Sequence, residues 1–374
     1  PYLCKQVLDF NFDKIKAIKS KLSALPFITM NGDPSLSFSD EGRVRMWLDL
    51  KNEKISSFDG IIGVAPKTDN ATKTLVTGQL DFRLRNPFSR GTSLDFSFEK
   101  FQEKAQKLHT KLQYPFVLSS PIGLGFQLDL QKLDTSYLSL ETRSTISYFF
   151  SGASRVDFFY EPLRAYPLSK SAAIQSRFDD LKTVNYGLAY SGQSLDYLPN
   201  PSKGWEFEVE ISVGSKEIFQ EEGKEKSTIG RAAASLSYFL PIKGKLIFFT
   251  KSKALYNQDS SFSQSQVKWI GGAKSLRGFN EGAIPAKSFV VQTVELRYLT
   301  DQDSHFKLFY DIGYLNSFSA LGKMENATFS GIGAGFNFKS GPGIFSISYA
   351  VGKSKDLPFS LSGGKAHFGF LSYF

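Results

Sequence analysis

Cysteine is almost missing from this sequence. Its 374 residues contain one, Cys4, so neither a disulfide framework nor a multi-cysteine metal site can be built. Histidine is nearly as scarce, and His109, His305 and His367 stand far apart, a poor basis for metal-centred chemistry. Long apolar runs are lacking too. Mean hydropathy is −0.20, and no stretch approaches the ~18 uninterrupted apolar residues of a spanning helix, which excludes a helical membrane protein. No Gly-x-Ser-x-Gly elbow, P-loop or His-Glu-x-x-His motif occurs, so the chain reads as a non-enzyme with no cofactor and no metal. A repeat of ~40 residues, the mark of a propeller, is also missing. No basic-then-apolar leader precedes Pro1, which reads as the start of a processed, excised or only partly ordered chain.

What is abundant is phenylalanine. With 36 Phe, 16 Tyr and 3 Trp the chain is 15% aromatic, and at 41% hydrophobic it has ample material for buried surface, which excludes disorder. The 45 basic and 36 acidic residues give a net charge of +9. They are interleaved along the whole chain rather than clustered, so no nucleic-acid partner is expected.

Two textures divide the chain. Within Asp13–Leu25, Ile15, Ile18, Leu22 and Leu25 recur at helical spacing with lysines opposite, which predicts an amphipathic helix. Ser35–Ser39, a turn at Asp40-Glu41-Gly42, and Arg43–Leu50 then predict a hairpin. Residues 1–53 are therefore read as a partial α+β unit. From residue 54 to 374 the period is two: Ile122, Leu124, Phe126, Leu128 and Leu130 alternate with Gly, Gln or Asp, and Phe207, Val209 and Ile211 alternate with Glu206, Glu208 and Glu210. Soluble sandwiches use strands of about five to six residues. Several runs here are long enough to cross a bilayer at a tilt. Turn signals such as Asn86-Pro87, Asn200-Pro201 and Lys243-Gly244 divide this part into about sixteen strands. The fold class expected is an all-β membrane protein, an antiparallel transmembrane β-barrel. Tyr148-Phe149-Phe150, Phe158-Phe159-Tyr160 and Phe248-Phe249 are expected in its interfacial girdles.

The most glycine-rich connection, Ile270 to Gly282, lies within a segment, 260–284, expected to fold into the lumen. Arg277 at its centre would there need a carboxylate partner. In His305–Tyr314 the even positions are apolar or aromatic and should face lipid, which turns Asp311 inward; the same alternation turns Glu295 and Arg297 inward one strand earlier. Gly331-Ile332-Gly333-Ala334-Gly335 mimics a nucleotide-binding loop, but its strand-like surroundings favour small lumen or wall residues instead.

Gly271-Gly272 with Leu276-Arg277-Gly278-Phe279, followed by Phe309-Tyr310-Asp311-Ile312-Gly313, resembles the paired signature of a superfamily of POTRA-bearing outer-membrane barrels. It contains BamA, TamA, the mitochondrial sorting-and-assembly barrel and the FhaC type of secretion pore, and this chain looks most like BamA and TamA. The resemblance implies a loop lock in which Arg277, Gly278 and Phe279 form the tip, Asp311 the partner and Glu295 a second acidic contact. It also implies that 1–53 is the end of a last periplasmic POTRA domain whose upstream part is missing. The ending Phe368–Phe374 resembles the C-terminal signal of bacterial outer-membrane barrels.

The resemblance further implies an outer-membrane assembly factor of a diderm bacterium. Its partners would be unfolded outer-membrane protein clients, outer-membrane lipids and accessory lipoproteins or periplasmic subunits. A polypeptide secretion pore of the same superfamily is the alternative, and a passive porin a third. Insertion would use a lateral seam formed by Phe58, Gly60, Ile62 and Gly63 of the first strand and Phe368, Gly369, Phe370, Leu371 and Phe374 of the last. Glycines at 60, 63 and 369 weaken strands, so this seam is expected to be the least stable in the wall. A cross-link from Ile62 to Leu371 is expected to span it, and the Arg277 loop to brace the opposite side.

Overall fold

The computed structural model describes residues 28–30, 32, 34–38, 44–52, 56–65, 75–88, 90–101, 105–134, 136–150, 154–169, 178–197, 200–220, 223–318, 323–355 and 357–374. The helix expected over Asp13–Leu25 lies outside them. The hairpin is there: Ser35–Phe38 pairs antiparallel with Val44–Trp47. A ribbon the sequence did not suggest, Ile28–Met30 with Leu50–Asn52, joins the segments on either side of it.

The rest is one closed antiparallel barrel. Its sixteen wall strands begin with β1 (Ser57–Ala65), β2 (Leu75–Arg85), β3 (Ser93–Lys100), β4 (Ala105–Tyr114), β5 (Ile122–Leu133), β6 (Tyr137–Phe149), β7 (Arg155–Pro167) and β8 (Asp180–Leu195). They continue with β9 (Gly204–Gln220), β10 (Gly223–Lys243), β11 (Leu246–Gln258), β12 (Ile284–Leu299), β13 (His305–Phe318), β14 (Met324–Ser340), β15 (Gly343–Lys353) and β16 (Lys365–Tyr373). Closure leaves no open sheet edge along the wall, which hydrocarbon demands of any spanning sheet. β16 meets β1 from Ala366 opposite Val64 to Tyr373 opposite Ser57, and the Phe374 N–H donates to the Ser56 carbonyl at 2.9 Å.

Alternation sorts the side chains between two solvents. On β13, Phe306, Leu308, Tyr310, Ile312 and Tyr314 are exposed on the outside while Asp311 is 0% exposed. Similar apolar positions on neighbouring strands, such as Ile332, Ile347 and Phe368, complete an apolar exterior. The aromatic pairs did not go wholly to the girdles, because adjacent residues in a strand must point to opposite faces. Tyr148, Phe158 and Tyr160 are outside, whereas Phe159 and Phe249 are buried on the lumen side. There they support guanidinium groups: Arg143 lies 4.0 Å from the Phe159 ring centre and Arg297 lies 4.2 Å from that of Phe249.

The seam is not uniquely short. β16 is matched to β1 at eight residue pairs and to β15 at seven, against seventeen between β9 and β10. The last strand is thus the most lightly laddered of the sixteen wall strands, by a single pair, since β3 has eight on each side. Outside, a row of rings runs across the seam: Phe96–Phe82 at 6.4 Å, Phe82–Phe58 at 4.9 Å, Phe58–Phe370 at 6.5 Å and Phe370–Phe345 at 4.8 Å between centroids. Its widest gap is at the seam.

The two faces predict opposite tolerances. Ile332→Arg, on the outer face of β14, should cost about 2–4 kcal/mol of folding free energy in vesicles, whereas Gln127→Arg on the lumen face should cost less than about 1 kcal/mol. Urea titration of refolded protein measures both.

Candidate functional site: the inward loop and the seam

Residues 259–283 join β11 to β12 by way of the lumen. The entry is pinned by Lys216 of β9, whose fully buried Nζ donates to both Asp259 carboxylate oxygens (2.7 and 2.6 Å) and to the Ser261 carbonyl (2.5 Å). A 3-10 turn follows at Gln264–Gln266, closed by a capping box in which Ser263 Oγ accepts the Ser265 N–H and the Gln266 side chain accepts the Ser263 N–H. Lys268–Ile270 then pairs with Ile284–Ala286 of β12. The loop is thus hydrogen-bonded to the wall and does not trail in water.

Its tip carries a buried ionic cluster. The Arg277 Nε and Nη2 donate to the two Asp311 oxygens, each at 2.7 Å, its backbone N–H donates to Asp311 Oδ2 at 3.1 Å, and Nη1 donates to Glu295 Oε1 at 2.6 Å. Thr293 Oγ donates to Asp311 Oδ1 at 2.8 Å, and Arg297 Nε donates to the other Glu295 oxygen at 2.8 Å. The guanidinium lies 3.6 Å from the centre of the Phe309 ring. Both acids are buried, so the fork geometry of arginine supplies what a point-charge ammonium could not. Leu276 packs among Ile270, Phe279, Ile284, Phe289 and Leu315, which holds the arginine's backbone in place.

Glycines shape the seat; the small lumen residues expected at Gly331 and its neighbours turn out to lie under the loop itself. Thr293, Asp311, Gly331 and Gly352 are successive cross-strand partners over β12 to β15. A Cβ on Gly331 would fall 1.9 Å from the Arg277 carbonyl oxygen. Gly278 has φ +92°, and a Cβ there would lie 2.6 Å from the Gly352 nitrogen. The tip therefore rests on bare backbone. The available signal was the alternation Gly331-x-Gly333-x-Gly335, whose members stand opposite Asp311, Phe309 and Lys307.

The loop does not brace the wall opposite the seam. Because it hugs β12, only four further strands separate it from the seam, and the same segment continues across the inner face to β1. Lys274 Nζ donates to Asp81 Oδ2 of β2 at 2.5 Å and to Asp59 Oδ2 of β1 at 3.2 Å. Glu281 Oε1 accepts the Ala273 N–H at 2.6 Å and lies 3.8 Å from His367 Nδ1 of β16. Burial, with Glu99 nearby, pushes the Glu281 carboxyl up to about 7. A third cation, Lys268, reaches Glu141 of β6 at 3.2 Å.

The seam residues take two faces. Ile62 and Phe368 are opposite each other and both point outward. Leu371 is opposite Asp59 on the lumen side, so it cannot be joined to Ile62. His367 faces Gly63 in the same register. Phe58 and Phe370 belong to the outer ring row, Gly60 pairs with Phe370, Gly369 with Ile61, and Phe374 lies exposed beyond the ladder.

Removing the guanidinium strands two buried carboxylates. Arg277→Ala should lower unfolding free energy by about 3–5 kcal/mol, and Arg277→Lys should restore only part of it. Urea or heat unfolding of the refolded barrel, read by electrophoretic mobility, measures the difference.

Among curated proteins, none matches this sequence. Solved structures do. BamA from Haemophilus ducreyi lacking POTRA domains 1-3 is similar with a TM-score of 0.57 at 14% identity, over 96% of this chain and 78% of that one. CdiB from Escherichia coli is similar at 0.64 and 15% over 100% and 73%, and CdiB from Acinetobacter baumannii at 0.62 and 13% over 95% and 67%. Such identities speak for the fold alone. The sequence itself matches the Omp85 superfamily domain over residues 69–366, a span that holds the inward loop, its acidic partners and all of β2 to β15. The chain belongs to the Omp85 superfamily.

Proposed function

We propose that this protein is an outer-membrane assembly factor that folds and inserts client β-barrels through the seam between β1 and β16. The observation that carries this reading is the weakly laddered last strand, with seven pairs on one side and eight on the other, in a wall whose long strands pair at up to seventeen. Parting β1 from β16 exposes two strand edges at once. An unpaired edge is a template for another strand, which is how an incoming client hairpin would be ordered by β-augmentation. The Arg277 contacts tie the loop to β12 and β13, well inside the part of the wall that stays closed. On this reading the chain sits in the outer membrane of a diderm bacterium, and the hairpin and ribbon before β1 are the end of a periplasmic POTRA domain. Unfolded outer-membrane proteins are the clients, lipids the second contact, and accessory lipoproteins or periplasmic subunits the helpers.

A second reading, export of an unfolded polypeptide through the lumen, is favoured by one feature. A lumenal cavity of about 460 Å³ is lined by charged and polar groups, among them Glu99, Lys107, Asp129, Glu208 and Lys253. The loop lies across that lumen, so export would require it to move.

The two readings separate on one variant. With Ile62 and Phe368 both replaced by cysteine, oxidation should abolish client insertion in vesicles and reduction should restore it. Undiminished insertion by the oxidised protein refutes the lateral route, and large single-channel conductance that survives oxidation favours export.

A further inference from the structure

The inner loop touches both strands that flank the seam, and no part of the Arg277 lock requires it to. Lys274 lies three residues before Arg277, and its ammonium bridges the first two wall strands through Asp59 at 3.2 Å and Asp81 at 2.5 Å. Asp81 is buried, and the Gln79 amide donates to its other oxygen at 2.9 Å, so the acceptor is held in place by its own strand. Seven residues further on, Glu281 stands over the opposite side. Its Oε1 is 3.8 Å from His367, a buried side chain of β16 whose ring nitrogens make no hydrogen bond among the described residues. Directly across the seam from His367 is Gly63, and the Glu281 stem lies over it within van der Waals reach, 4.0 Å from where a Cβ would stand.

We infer that Lys274 is a positioning residue for the seam: it ties β1 and β2 to a loop that Arg277 anchors on β12 and β13, so the loop clasps the two sides of the seam from the lumen and the seam opens only when Lys274 leaves Asp59 and Asp81. The inference rests on the seam being the working edge of the barrel. Outer-wall ladders near β16 are short, and hydrogen bonds alone leave that strand weakly held. A charged contact from the loop to Asp59 adds a hold that can be released without breaking any wall pairing. The Asp311 and Glu295 contacts remain with Arg277, so the loop stays in the barrel while its clasp is undone.

Backbone hydrogen exchange of the full chain in lipid nanodiscs tests this. Peptides covering 57–65 and 365–373 report the seam, and a peptide covering 204–220 reports the long-strand wall. Lys274→Met keeps the side chain's stem and removes its charge; it should speed exchange in both seam peptides about five-fold and leave the reference peptide unchanged. Lys274→Arg should retain the wild-type rate. Asp59→Asn should speed the seam peptides similarly, and combining it with Lys274→Met should add little. It also serves as the second probe should Lys274→Met fail to fold. Unchanged seam exchange in both single variants, or equal acceleration in the reference peptide, overturns the clasp. Client insertion is measured on the same proteins. Faster seam exchange with unaltered insertion would uphold the clasp and refute the lateral-insertion reading instead.

Discussion

A guanidinium enclosed by a wall with apolar cladding must be neutralised on every side, and much of the molecule's interior is arranged to do so. Arg277 has Asp311 and Glu295 in front of it, Phe309 beneath it and the bare backbone of Gly331 and Gly352 under its own carbonyl and its neighbour Gly278. The supports come from β12 to β15, two of them, Asp311 and Phe309, from β13, so Arg277 and Gly278 together register four strands against one another. Removing a partner would leave a buried charge whose desolvation exceeds what any single hydrogen bond contributes. The arrangement recurs elsewhere around the lumen, where Arg143 and Arg231 share Glu161 and Glu210 across β6, β7, β9 and β10.

How much of this could be read beforehand follows from which interactions are local. Strand alternation is set residue by residue by the choice between hydrocarbon and water, and it placed Asp311 and Glu295 inward and Tyr310 and Ile312 outward. The pairing of Arg277 with both acids followed once a glycine-rich connection was assumed to enter the lumen. Register is a different matter. A strand can shift by two residues without changing which face is apolar, so nothing in Phe368–Phe374 distinguished Phe368 from a neighbour as the partner of Ile62. The opposition of Ile62 and Leu371 failed for a simpler reason: Leu371 follows the outward Phe370 and so points to the lumen opposite Asp59, whereas Ile62 points outward.

Two features were hidden because they depend on what crosses the lumen. Nothing in the sequence sets Lys274 apart, and only the route of the loop brings it to Asp59 and Asp81. Phe159 and Phe249 looked like members of interfacial aromatic clusters, whereas the lumen uses them as platforms for Arg143 and Arg297. An aromatic face can lie against a guanidinium plane without demanding a hydrogen bond, which lets arginine's five donors go to carboxylates. The scarcity of histidine and cysteine then leaves arginine, lysine and carboxylates to organise the interior.

The phenylalanine row that crosses from Phe82 through Phe58 to Phe370 and Phe345 behaves unlike the ladder behind it. A hydrogen bond weakens steeply with an added ångström, while tilted rings keep their attraction at centroid separations from about 4.5 to 7 Å. Greasy bearings of this kind let two edges slide and splay slightly while still shutting out headgroups and water. The membrane side of the joint is therefore compliant where the backbone side is brittle, and the protein can loosen one without wetting the other.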